Sequence, residues 1–262
     1  MNTSEIISIM QKLANEDLAL EWDNTGFILG DDKSSVKTIL LALDIDDNVI
    51  NEAIGYGVQL IITHHPIIFK GVKNITTKTT PGKWMLKLIK NNISVYTSHT
   101  NLDIIQGGVN DSLFDALQLV NKSPLKDLEN GNAMGRVGDT VKTYTLQEFA
   151  NFVGQKLNTN LVRYVGNADE QINRVALCGG AASDLGFFKA AVQRGAHVFV
   201  TGDVRYHEAQ RAQGIGLNLI DATHFATENV VLKDLKKYLQ SQVNDSITIH
   251  LSQADLQPFK SV

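Results

Sequence analysis

A single cysteine stands in 262 residues, so no disulfide can form within the chain. That residue, Cys178, lies in the apolar stretch Val175 to Cys178, and is expected to be a reduced, buried thiol rather than a nucleophile. Basic charge is not in excess either. The formal net charge is −4 with a pI near 6.0, so no global positive field collects phosphate backbones. A dedicated nucleic-acid binder is therefore disfavoured, although a local basic groove stays open. No apolar run approaches bilayer length, which argues against a membrane protein. Glu5, Ser4 and Ser8 interrupt the N-terminal segment and deny it the form of a secretory signal. The expected location is the cytoplasm.

What is present is ordinary globular composition, 43% hydrophobic and 20% charged, in a length that suits two packed lobes. Aliphatic, β-branched segments alternate with helical patterns, as in crossover units with parallel strands. Strands are expected at Thr38 to Leu43, Val58 to Thr63, Ile93 to Thr97, Leu161 to Val165, Arg174 to Cys178, His197 to Thr201, Leu217 to Ile220 and Ser246 to His250. Helices are expected at Asp46 to Tyr56, from Pro81 to about Asn91, at Val109 to Leu119, at Asp184 to Arg194 and at His224 to Leu239. Thr145 and Glu148 have capping-box spacing, so another helix should start there and run to about Leu157. Asn121 to Asp139, with Pro124, Gly131, Gly135 and Gly138, lacks a sustained period and reads as the connection between halves.

The halves resemble each other. An offset of 138 places Thr63-His64-His65 against Thr201-Gly202-Asp203, each just after an apolar strand. An offset of 125 pairs His99 with His224 and Asp103 with Glu228, so each half carries a His-x-x-x-acid unit. We read a duplicated α/β lobe.

Three segments put metal-ligand residue types at the carboxyl ends of expected strands, where open α/β sheets place their sites: His64-His65-Pro66, His99 to Asp103 and His224 to Glu228. In extended backbone His64 and His65 point to opposite sides, so one ion each is expected unless the chain turns there. His224 and Glu228, four apart on a helix, share one face, and the Glu can bridge. Imidazole and carboxylate ligands without thiolate suit zinc, iron(II) or manganese. Asp103 taken alone is a turn or capping residue before Gly107 and Gly108. Trp22-Asp23-Asn24-Thr25-Gly26 is either a turn with Trp22 as core anchor or a substrate-facing element. Asp203 is either a helix cap or part of a site, and Arg205 or His207 is a candidate holder of an anionic or phosphorylated substrate.

Taken together, Trp22-Asp23-Asn24-x-Gly26, Thr63 to Pro66, His99 to Asp103, Gly107-Gly108-Val109-Asn110-Asp111, Thr201-Gly202-Asp203 and His224-x-x-x-Glu228 closely resemble the NGG-one-interacting-factor-three-like family of dinuclear-metal proteins, also known as GTP cyclohydrolase 1 type 2 homologs. Phe27 stands where that family usually has leucine, and its customary upstream proline is missing. The resemblance implies a duplicated α/β fold of three-layer lobes with mixed, largely parallel sheets and a dinuclear metal site between them. The first lobe would span 1–125 and the second 126–262, the two intertwined. Some relatives carry an extra domain between the halves, for which the connection here leaves no room. The resemblance further implies two divalent ions on His64, His65, Asp103, His224 and Glu228, with Glu228 bridging, and assembly into a homohexameric ring. We assign proton transfer to His99 and His207. The function expected is metal-dependent hydrolysis of a nucleotide or related small molecule. The alternative is a non-catalytic hexameric ring that binds metal or single-stranded nucleic acid in a regulatory role; a small-molecule substrate is favoured over nucleic acid.

Overall fold

The computed structural model describes residues 1–128 and 132–261, and the expected turn residue Gly131 lies outside them. In chain order the elements are α1 (Thr3–Leu13), a 3-10 turn (Glu16–Leu18), β1 (Gly26–Leu29), β2 (Thr38–Ala42), α2 (Asp47–Gly55), β3 (Leu60–Thr63), α3 (Thr80–Lys90), β4 (Ser94–Thr97), α4 (Thr100–Ile104) and α5 (Val109–Ala116). There follow β5 (Val120–Asp127), β6 (Ala133–Thr145), α6 (Leu146–Lys156), β7 (Arg163–Val165), β8 (Gln171–Leu177), α7 (Leu185–Gln193), β9 (Val198–Thr201), α8 (Tyr206–Gly214), β10 (Asn218–Asp221), α9 (His224–Glu228), α10 (Val231–Gln242) and β11 (Thr248–Leu251). The chain forms two compact units, one of Met1–Leu102 with Leu232–Leu256, the other of Asp103–Val231 with Gln257–Val262.

The first unit holds a sheet in the order β1-β4-β3-β2-β11. Four of its strands are parallel and β1 runs antiparallel to β4. Every residue of β3 and β4 is buried, as expected of strands covered by helices on both faces. Leu40, Ala42, Ile61 and Val95 from the strands pack with Val49, Ile50 and Leu88 from α2 and α3. The second unit holds the order β5-β6-β8-β9-β10-β7, with β8, β9 and β10 parallel and β7 antiparallel to β10. Its core joins Val175, Leu177, Val198, Val200 and Ile220 to Phe149 and Val153 of α6.

The duplication is visible element by element. α1-β1-β2-α2-β3-α3-β4-α4-α5 recurs as α6-β7-β8-α7-β9-α8-β10-α9-α10, and in each sheet the first strand of the series closes one edge antiparallel to the last. Local chemistry supports the repeat. Asn2 with Glu5 and Thr145 with Glu148 form capping boxes at α1 and α6, each worth about 1 kcal/mol.

Three expectations need correction. Of the stretch from Asn121 to Asp139, residues 121–127 and 133–139 are no irregular connection but belong to the paired strands β5 and β6. Pro124 is tolerated because β5 lies at the sheet edge, and Gly138 is needed because a methyl there would meet the Phe114 ring at 2.4 Å. One helix from His224 to Leu239 is instead two, broken after Asn229, where the chain leaves the second unit and re-enters the first. Asp203 does not cap α8; that position belongs to Arg205, and Asp203 sits at φ 54°. A buried ion pair, Arg136 Nε to Asp111 Oδ1 at 2.5 Å, anchors the segment after Gly108. The guanidinium also donates to the carbonyls of Ile105, Ala133 and Gly135, so losing either partner should cost about 3–5 kcal/mol.

Candidate functional site

In the first unit the ends of β3 and β4 bring three imidazoles together. The chain bends at His64 and His65 directly after β3, so the condition under which these side chains need not diverge is met. Their ring centroids are 4.9 Å apart, and those of His64 and His65 lie 5.0 and 5.4 Å from that of His99. One ring nitrogen from each of the three lies within 4.8 Å of the others.

Each ring is oriented through Nδ1. His64 Nδ1 lies 3.0 Å from the carbonyl oxygen of Ser98, which can only accept, so this nitrogen carries the proton. His65 Nδ1 meets Asp44 Oδ1 and His99 Nδ1 meets Asp23 Oδ1, both at 2.8 Å. Asp23 also accepts from the backbone N–H of Thr100 at 3.0 Å and from its hydroxyl at 2.6 Å. Burial pushes the Asp23 carboxyl up, but hydrogen bonds from His99 and Thr100 overcome this and hold it well below the usual carboxylate range. The same residues anchor the Trp22 segment: Thr100 Oγ1 accepts from Leu20 N, and Asn24 Nδ2 donates to the carbonyl of Ile68. Trp22 itself is 63% exposed, so the core-anchor reading fails.

In the second unit, α9 presents His224 and Glu228 on one face, with Nε2 and Oε2 3.0 Å apart. His224 Nδ1 meets Asp203 Oδ2 at 2.8 Å, which repeats the carboxylate-on-imidazole arrangement of His65 and His99. Both supporting backbones lie at positive φ, Asp203 at 54°, which aspartate tolerates, and the β-branched Thr223 at 71°, which is strained. Thr223 caps α9, its hydroxyl accepting from Ala226 N. Gly180, at φ 67°, borders the pair: a methyl there would come to 2.1 Å from Glu228 Oε1 and 3.3 Å from His224 Nε2. Asp103, in α4, has its carbonyl tied to Asn110 Nδ2 at 2.9 Å, and Asn110 Oδ1 receives the N–H of Gly179 at 3.0 Å. Cys178 is buried as expected; burial first, then the charges of Asp103 and Glu228, push its thiol well above the ordinary value.

His207 is exposed on the first turn of α8, where it contacts Gln210 and Tyr206. Arg205 lines a cavity of about 650 Å³ with Arg163, Arg211, Asp203 and Glu208. Two of those guanidiniums already hold carboxylates, Arg205 that of Glu208 and Arg163 that of Asp221, which leaves the cavity balanced in charge rather than basic. Sequence reasoning passed over Asp44 and Gly180. Asp44 had a visible signal, an acid just past the end of an apolar strand.

The donors suit a borderline divalent ion. Imidazoles with Nδ1 fixed by a carboxylate or carbonyl offer Nε2 as the basic nitrogen, the usual outer support of metal-ligating histidines, and no thiolate intervenes. Among the described residues no helix is long and apolar enough to cross a membrane.

Comparison with known proteins gives the relatives of this chain. A Clostridium perfringens protein named GTP cyclohydrolase 1 type 2 homolog is 35% identical, with 100% of both chains covered. The crystal structure of a Bacillus cereus protein related to NIF3 superimposes with a TM-score of 0.94 at 28% identity, covering 100% of this chain and 99% of that one. Reduced HcgD from Methanocaldococcus jannaschii gives 0.82 at 32% identity over 97% and 98%. Residues 1–258 match the family described as Duf34/NIF3 (NGG1p interacting factor 3), and the chain belongs to that family.

Proposed function

We propose that this protein is a divalent-metal-dependent hydrolase in which His64, His65, Asp103, His224 and Glu228 would hold two ions, and which acts on a nucleotide or related small molecule. The observation that carries the reading is the shared support of the imidazoles: His65, His99 and His224 each rest Nδ1 on a carboxylate, and His64 rests on a carbonyl. Side chains that served only packing would have no reason to repeat that arrangement in both units. Ions held there would supply Lewis acidity toward water and substrate. The ligating residues themselves bind and orient. His99, kept in one tautomer by an Asp23 that stays ionised near neutral pH, gives or takes a proton at Nε2. The name carried by the relatives supports a nucleotide as the substrate class. We further propose a cytoplasmic homohexamer as the working form.

The test is to load the purified chain with zinc, iron(II) or manganese and assay a panel of nucleotides and phosphoesters. Turnover that disappears with chelator, returns with metal and is lost in His64→Ala supports the proposal. A fully loaded protein that turns over nothing on the panel yet binds single-stranded nucleic acid tightly at physiological salt would replace it with the non-catalytic ring.

A further inference from the structure

Two large aromatic side chains beside the histidine cluster are turned to solvent. Trp22 is 63% and Phe69 51% exposed, and both rings meet His99 edge to face, at centroid distances of 5.9 and 5.8 Å. Neither sits on a loose segment. Asp23, next to Trp22, is held by His99 and Thr100, while Asn24 Nδ2 donates to the carbonyl of Ile68, next to Phe69. The same short run of residues therefore steadies the imidazole of His99 and ties the two ring-bearing segments to each other. Apolar rings held in water serve no packing purpose, and rings are well suited to stacking because they present a large rigid face at low entropic cost.

We infer that Trp22 and Phe69 are a stacking platform for the planar heteroaromatic ring of the substrate, placed against His99 so that the ring lies beside the group that moves the proton. The inference deepens the hydrolase reading and rests on it for the meaning of the histidine cluster. The ligand class it names is a nucleotide bound through its base. Lys70, next in sequence to Phe69, and Lys73, four residues beyond it, are both exposed and give the attached phosphate cationic partners. The geometry of Trp22 and Phe69 selects a flat ring over a sugar phosphate without a base, because stacking tolerates any π-face and has no use for a saturated ring.

The experiment is isothermal titration of the full-length protein, metal-loaded and chelator-treated, with GMP and AMP, and with ribose 5-phosphate as the base-free probe. Both nucleotides should bind more tightly than ribose 5-phosphate, and Trp22→Ala and Phe69→Ala should each weaken nucleotide binding about tenfold or more. Binding of ribose 5-phosphate should not change, and Trp22→Phe should restore most of the nucleotide affinity. Because both rings are exposed, the variants should keep the parent's metal content and melting temperature. Nucleotides that bind no better than ribose 5-phosphate, or alanine variants that bind like the parent, overturn the inference. So does a change in assembly mass without a change in nucleotide affinity, which would mean that another copy of the chain covers the rings. Base-dependent binding without chelator-sensitive turnover counts against the hydrolase reading alone, whereas turnover without base dependence counts against the platform alone.

Discussion

A methyl group added at Gly180 would lie 2.1 Å from Oε1 of Glu228. Backbone alone can occupy that place, so the space beside the His224–Glu228 pair is reserved by an absent side chain. Gly180→Ala should lower metal content, with Glu228 displaced, and the left-handed φ should add about 1–2 kcal/mol of destabilisation. Elemental analysis and thermal melts read both effects. Parent-level metal content in Gly180→Ala would show that the pair needs no such space.

Metal stoichiometry is the second prediction. About two ions per chain are expected after reconstitution, since five imidazole and carboxylate ligands exceed what one open catalytic site uses. Asp103→Ala and Glu228→Ala should each lower the count. One ion or none in the parent, measured by elemental analysis with excess metal supplied, contradicts a dinuclear centre.

His99 separates two roles. If it moves protons, His99→Ala should slow turnover about a hundredfold while metal content holds. Loss of metal instead would make it a ligand, a result its closeness to His64 and His65 makes worth measuring.

Asp23 sets an acid limit. Its folded carboxyl lies below the unfolded value of about 3.9, so folding favours the ionised form. The stabilisation is complete above that value and is lost as pH falls through the folded one. Melting temperatures of the parent and Asp23→Asn should therefore differ at neutral pH and converge in acid; a constant difference would assign the effect to packing.

Assembly is the fifth prediction. Light scattering at micromolar concentration should report a mass near six chains, and a monomer there would count against the ring.

Much of this was legible in residue order. The His-x-x-x-acid units at His99 and His224 stand out because strand, imidazole and acid recur at one spacing, and the duplicated architecture follows from the same match. Other features depend on contacts made across long sequence separations. Asp44 and Asp203 matter through the nitrogens they hold, 21 residues away in each case. β5 escaped notice because an edge strand need not alternate: seven of its eight residues are partly or fully exposed, and Pro124 reads locally as a breaker. Residue order leaves Trp22 open between a core anchor and a substrate-facing element; its exposure is decided by where Asp23 and Asn24 tie the segment down. α1 carried a readable signal in Asn2 and Glu5, the same box that announced α6.

The parallel pairing of β11 with β2 has a consequence for how the first sheet is made. β11 follows every strand of the second sheet in sequence, so during synthesis β2 must wait with one edge unpaired while more than half the chain is still being added. An open strand edge is a template for the wrong neighbour. Residues 248–251 thus act as a late closure, and a chain interrupted before them would expose, beside Thr38 to Leu41, a hydrogen-bonding rail ready to recruit another molecule.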